Sequence, residues 1–273
     1  MKRILLAALP ALLIFSSCAQ KHNESEAHLI KGNDFVLNGD FASARKEYEV
    51  ALKIDTANWR ASYELAGVYE LEGDFTNALY YFNRAVQINP KFMLGYYNKA
   101  NLEETMGDEK ASMADLKHTI ENRKDFFLAL IAVGRKEFTA GNLKEAVSAL
   151  DDAIKVRQDF YLPYSMRGSC KFRMGDIAGA IEDFNMEIKT QPGHAMGYVN
   201  RGVAHGEIQD YRAAISDFDT AITLDPSWSQ AYIYRGQFLF NLKSKDSACA
   251  DFRKAETLHH PQAAAYIKQN CGK

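Results

Sequence analysis

Seven histidines, four cysteines and 35 carboxylates are the side chains of this 273-residue sequence that could move protons, attack a substrate or hold a metal. Their spacing argues against all three. His259 and His260 form the one adjacent histidine pair, with no cysteine or carboxylate at the intervals a zinc site uses. They read as a solvated helix end. His118, His194 and His205 stand apart and read as surface or packing residues, and Cys170 as a small buried apolar residue. No Gly-x-Gly-x-x-Gly, phosphate loop, Gly-x-Ser-x-Gly or His-Glu-x-x-His occurs. We therefore assign no catalytic residue, metal ligand, cofactor or small-molecule substrate, and the chain reads as a non-enzyme.

With 47% hydrophobic and 25% charged residues the composition excludes a disordered or collagen-like chain. Leaving out Lys2 and Arg3 leaves 31 basic against 35 acidic side chains, a net of −4, which does not suit a nucleic-acid binder. Lys2 and Arg3 open a leader: an apolar run from Ile4 to Phe15, broken by Pro10, then Ser16, Ser17 and Cys18. This is the layout of a bacterial export signal over residues 1–17, too short to span a bilayer. Residues 18–24 are polar enough for a tether, and no membrane-spanning run follows.

The elements that must position these side chains repeat. Glycines 134, 168, 202 and 236 lie 34 residues apart, and the same step backwards reaches Ala100, Ala66 and Gly32. Seven units fit without insertion: 25–58, 59–92, 93–126, 127–160, 161–194, 195–228 and 229–262. Position 15 of the unit holds Gly39, Gly73, Gly107, Gly141 and Gly175, then Gln209 and Lys243. Position 16 is mostly aspartate, so most units carry a Gly-Asp turn that can end one helix and cap the next. Position 20 is small and position 24 bulky, one turn apart on one helical face. Pro90, Pro192 and Pro226 at position 32 stop the second helix.

Two columns covary within the chain. Position 7 is basic at Lys31, Lys99, Arg167, Arg201 and Arg235, where position 23 is Glu47, Asp115, Asp183, Asp217 and Asp251. Where position 7 is Leu65 or Val133, position 23 is the uncharged Tyr81 or Ala149. Structural ion pairs Arg167–Asp183, Arg201–Asp217 and Arg235–Asp251 follow, since a partly buried cation needs its counter-charge.

The pattern resembles the tetratricopeptide repeat family over essentially all of the chain after the leader, through the small residue at 8, Phe35 or Tyr69 at 11, Ala at 20, the bulky 24, Ala at 27 and Pro at 32. The third unit departs from it, with Glu103 at 11, Ser112 at 20 and Thr119 at 27. The resemblance implies an all-α, right-handed superhelical α-solenoid of seven ungapped repeats. Such an array needs its end covered. Residues 261–271 predict a capping helix carrying Ala263, Ala264, Tyr266 and Ile267.

In this family positions 2, 5, 9 and 12 line a concave surface that holds a peptide or protein. Here they include Tyr63, Tyr97, Asn101, Leu128, Ile131, Phe138, Leu162 and Phe172, beside Arg135 and Arg173. The alternative is that this apolar strip is packing between repeats. The family's clamp for peptide carboxylates needs Lys at position 5, and no unit has it.

Phe15-Ser16-Ser17-Cys18 resembles the bacterial lipobox, with Phe15 where that motif prefers Leu, and implies lipid on Cys18. The alternative is a plain secretory signal cut near Ala19. Cys249 precedes the turn at Leu258–Pro261 by about nine residues and Cys271 follows it by about ten, so antiparallel helices would bring them level. In an exported protein they are expected to form a disulfide, the alternative being two free thiols.

The expectation is an exported, lipid-anchored adaptor holding a protein partner in its groove, in the cell envelope and most readily on the outer membrane facing the periplasm. The competing expectation is a structural subunit of an envelope assembly that uses its convex face and ends.

Overall fold

A computed structural model describes residues 8–272, and describes side chains from residue 19 onward. Residues 1–7 of the expected signal and the Cys18 side chain, the expected lipid site, lie outside the described residues. Among the described residues there are 15 helices and no strand. They fall in two compact units, divided between Ala129 and Leu130.

The first unit holds α1 (Ala8–Leu37), α2 (Phe41–Ile54), α3 (Trp59–Leu71), α4 (Phe75–Ile88), α5 (Met93–Thr105) and α6 (Glu109–Asn122). They form three hairpins, and α2 also packs on α3 and α4 on α5. Residues 18–24, expected as a tether, lie within α1. No proline interrupts residues 19–37, and polar residues alone do not stop a helix. Ser25 is fully buried, its hydroxyl donating to the Ala51 carbonyl and accepting from Asn58 Nδ2, both at 2.9 Å.

α7 (Phe127–Ala140) crosses the division. The second unit continues with α8 (Leu143–Val156), α9 (Tyr161–Arg173), α10 (Ile177–Thr190), α11 (Ala195–Glu207), α12 (Tyr211–Leu224), α13 (Ser229–Asn241), α14 (Lys245–Thr257) and α15 (Ala263–Asn270). Helices α9 to α14 make three hairpins, each packed on the next.

The two helices of a hairpin meet where the bulky residue of position 24 enters the space left by the small residue of position 8. A Cβ added to Gly168 would lie 2.7 Å from the Phe184 ring, and one added to Gly236 would lie 2.6 Å from Phe252. Tyr48, Phe82, Leu116, Leu150, Phe184, Phe218 and Phe252 are all buried, each such side chain contributing about 1.5–3 kcal/mol.

The turn between the helices uses the left-handed conformation at all seven positions. Five are glycine, and Gln209 (φ 62°) and Lys243 (φ 64°) adopt it against their own preference. Asp40, Asp74, Asp108, Asp176 and Asp210 then accept the N–H three residues on. Asn142 and Ser244 make no such cap. Asn142 spends its amide on Glu137 Oε2 at 2.8 Å.

At the C-terminal end α15 lies on α14. Ala263 is buried beside Phe252 and Ala255, and Tyr266 stacks on Phe252 with ring centroids 5.1 Å apart. Cys249 and Cys271 are joined by a disulfide, with Cα atoms 5.6 Å apart. That is the ordinary separation for such a bond.

Candidate functional site

The arginines of position 7 are fully engaged. Arg167 Nε lies 2.9 Å from Asp183 Oδ2 and Arg201 Nε 3.0 Å from Asp217 Oδ2. Arg235 Nε donates to Asp251 Oδ2 at 2.8 Å. In each pair Nη2 takes the second carboxylate oxygen, giving the bidentate fork that suits guanidinium. The third guanidinium nitrogen reaches back one repeat, to Asp151, to Asn185 (2.7 Å) and to Asp219 (2.7 Å). Position 25 of the preceding repeat thus supplies an acceptor that the charge matching of two columns did not reveal. Its legible signal was the run Asp151, Asn185, Asp219 itself. Each arginine also lies over the tyrosine three residues earlier, Tyr164, Tyr198 or Tyr232, at 5.6–5.8 Å. These groups bind the array together and leave little for a ligand. Lys31–Glu47 (2.6 Å) and Lys99–Asp115 (2.7 Å) repeat the pairing in the first unit.

Two departures from the repeat bury acids. Glu103 contacts Lys99 at 3.5 Å, and burial holds its carboxyl up at about 7 despite that cation. Glu187 replaces the alanine of position 27 and is fully buried, its Oε1 2.9 Å from His194 Nδ1. Burial raises its pKa against the pull of His194. His194, expected to stand alone, therefore has a partner; position 27 carried that signal. His118 packs against Tyr96 with ring centroids 4.3 Å apart, and His205 Nε2 lies 3.9 Å from Asp217 Oδ2. His260 meets Gln230 at 2.8 Å, while His259 is exposed with positive φ. Cys170 is buried, and burial lifts its thiol to about 11, the reverse of what a nucleophilic cysteine needs. No cluster of three metal-ligating side chains occurs among the described residues.

The expected groove residues fare unequally. In the first unit Tyr63 is packed against Phe92 (4.8 Å) and Phe82 (5.7 Å), and its hydroxyl accepts from Asn98. Tyr97 packs on Phe126 at 5.5 Å, and the Asn101 carbonyl accepts from Thr105. These two tyrosines pack against the aromatic residues of position 34, a column that reads as loop in the sequence. Leu128 is 50% exposed.

In the second unit Ile131, Phe138, Leu162 and Phe172 are half-buried, and Arg135 and Arg173 are exposed. Phe138 packs on the Ala146–Leu150–Cys170 cluster and Phe172 on Ala180, Phe184 and Ala204. Each aromatic ring therefore serves the packing of neighbouring repeats as well as the surface. Arg173 covers Phe138, its guanidinium 4.8 Å from the ring centroid and 3.3 Å from the Phe138 carbonyl.

Beside Phe172 and Arg173 the second unit opens a cavity of about 290 Å³ between α9, α11 and α13. Phe172, Phe184, Val199, Val203 and Trp228 give it apolar walls. Ser169, Arg173, Asn200, Gln230 and Tyr234 supply the polar groups at its edges, with no carboxylate among the lining residues. Of these, Trp228 at position 34 and Asn200 and Tyr234 at position 6 lie off the four groove positions, whereas Gln230 stands at position 2 of the last repeat, within the expected stripe.

The tetratricopeptide repeat family model matches residues 31–91 and 199–266. No curated protein sequence matches the chain closely enough to count as a relative. Among solved structures, it is similar to a tetratricopeptide repeat protein from Parabacteroides merdae, with 20% identity and a TM-score of 0.62 over 92% of this chain and 100% of that one. It is also similar to the C-terminal part of a repeat-containing protein from Cytophaga hutchinsonii, with 12% identity and a TM-score of 0.74 over 88% and 99%. A third is YrrB, described as having an unusual peptide-binding site, with 17% identity and a TM-score of 0.60 over 67% and 95%. The chain carries tetratricopeptide repeats over residues 31–91 and 199–266, and its fold is that of helix–turn–helix repeats of the α-solenoid class.

Proposed function

We propose that the chain is a non-enzymatic adaptor, exported, anchored by lipid on Cys18 and holding a protein partner on the inner stripe of its first helices. Tetratricopeptide repeat proteins are interaction scaffolds. One observation carries the reading for this chain: the second unit keeps an open apolar cavity beside a cation instead of closing it with its own side chains. A surface that meets water alone gains nothing from such a patch. The leader ending at Cys18 supports export and lipidation, and Ala19 and Gln20 after it lean toward the outer membrane, facing the periplasm. Partner and membrane are the two contacts this reading requires; nucleic acid is not among them.

Two measurements test it. Mass spectrometry of the mature protein is expected to find a lipid-modified Cys18 at the N-terminus; an unmodified residue 18, or a later start, refutes the anchor. Crosslinking of the full-length protein in its native membrane is expected to capture a discrete partner through residues of α9, α11 or α13. Capture only through the outer helices α10 and α12 would favour a structural subunit over an adaptor.

A further inference from the structure

Resting on the adaptor reading, we infer that the cavity of the second unit is a specificity pocket for an extended peptide segment that inserts one large apolar side chain and places an acidic side chain next to it on Arg173. Size comes first. A volume of about 290 Å³ sits at the small end of ligand pockets, which run to ~1,000 Å³, so it suits one bulky side chain rather than the face of a helix. Chemistry comes second. Arg173 is the one charged residue in the lining, and among the described residues it forms no salt bridge. It is held in place by Phe138, through the ring and the carbonyl, so its orientation is already fixed before a ligand arrives. Its neighbour Arg167, by contrast, is consumed by Asp151 and Asp183.

The remaining polar groups point the same way. Gln230 can donate its amide N–H groups, its carbonyl end being matched to His260 at 2.8 Å, and Asn200, which also hydrogen-bonds Glu187, has a second amide N–H to give. Donors therefore outnumber acceptors around an apolar floor, which calls for a ligand rich in oxygen acceptors. Arg173 stands on α9, Asn200 on α11 and Gln230 on α13, three successive first helices. A peptide running across them would meet the guanidinium with a carboxylate and the two amides with main-chain carbonyls. Because the donors are spread out and not gathered at one point, the segment continues on both sides of its anchor. An internal acidic-apolar motif fits this arrangement, and a terminal carboxylate does not.

The test uses fluorescein-labelled decapeptides of Gly-Ser background, titrated against the full chain by anisotropy. A central Trp-Glu peptide is expected to bind roughly tenfold tighter than the Trp-Lys peptide, the worth of one charge-assisted contact, and at least roughly tenfold tighter than the Ala-Glu peptide, which lacks the buried apolar side chain. Arg173→Glu should reverse the Glu-over-Lys preference while the helical circular dichroism and melting temperature stay unchanged. Should that variant lose its helix signal, Arg173→Gln must still level the preference. Val203→Phe, which fills the cavity, should abolish the advantage of Trp over Ala. Equal binding of all peptides, no binding, a preference that survives both Arg173 variants, or tighter binding of a peptide ending in a free Trp carboxylate overturns the inference. The adaptor reading fails separately, by crosslinking that captures nothing on the inner helices.

Discussion

At the scale of single residues the charges do structural work, and each can be tested by removing one partner. Asp217 is buried and receives two N–H groups of Arg201. Arg201→Met leaves that carboxylate without its counter-charge and is expected to destabilise the chain by about 3–5 kcal/mol, while Arg201→Met with Asp217→Leu recovers most of the loss. Urea unfolding of the two single variants and the double variant measures this; equal losses in all three would contradict it. Glu103 has the opposite character. Its pKa rises from 4.5 unfolded to about 7 folded, so between those values the folded state binds more protons. Its stabilising contribution is full below ~4.5 and is lost as pH climbs through about 7. Glu103→Gln is therefore expected to equal the parent near pH 5 and exceed it by about 1–3 kcal/mol at pH 8. Parallel melting curves across that range would count against it. Gln209 carries positive φ, and Gln209→Gly should raise stability by ~0.5–1 kcal/mol, read as a higher melting temperature.

At the scale of elements, one hairpin is copied with its weak points visible. The aspartate of the turn satisfies the start of the second helix in five repeats, yet α8 and α14 begin without that side-chain cap. Asn142→Asp is expected to add a few tenths to ~1 kcal/mol where the side chain can turn to the N–H three residues on. The last helix depends on different forces. α15 is eight residues long, too short to be stable alone. It stays because Tyr266 stacks on Phe252, Ala263 is buried and the disulfide closes a 22-residue interval. Cys271→Ser should cost roughly 3 kcal/mol and raise amide exchange in α15 well above that in α13. Unchanged protection would mean that packing alone holds the cap.

At the scale of the whole molecule, folding and the proposed binding surface draw on the same side chains in the second unit. Phe138 and Phe172 are half-buried in separate clusters and still border the surface near Arg173. Phe138→Ala with Phe172→Ala, in a background of Arg135→Glu, should lower the melting temperature by an amount matching ~2–5 kcal/mol in total, because both rings fill space between repeats. Arg173→Glu should not. A normal melting temperature for the triple variant would return those rings to the partner surface alone. Stacked repeats stabilise one another through nearest neighbours, so such losses propagate along the array.

Period, turns and the charge columns were all legible in the chain, because a 34-residue register repeats the same local physics seven times and any constraint it carries recurs at a fixed position. Gly39 and Asp40 announce a turn wherever they stand, and Arg235 needs Asp251 in any packing that brings the two helices of its hairpin together. What the chain did not disclose arises where repeats meet. The second contact of each arginine, to Asp151, Asn185 or Asp219, lies between successive repeats. The partner of His194 is a residue that breaks the pattern. The cavity is walled by Trp228 from a position that reads as loop, together with side chains of three first helices. Spacing within one repeat specifies which side chains share a helical face. The distance and angle between neighbouring repeats decide whether an aromatic ring fills a gap or leaves one, and those emerge only when all the side chains of adjoining helices pack at once.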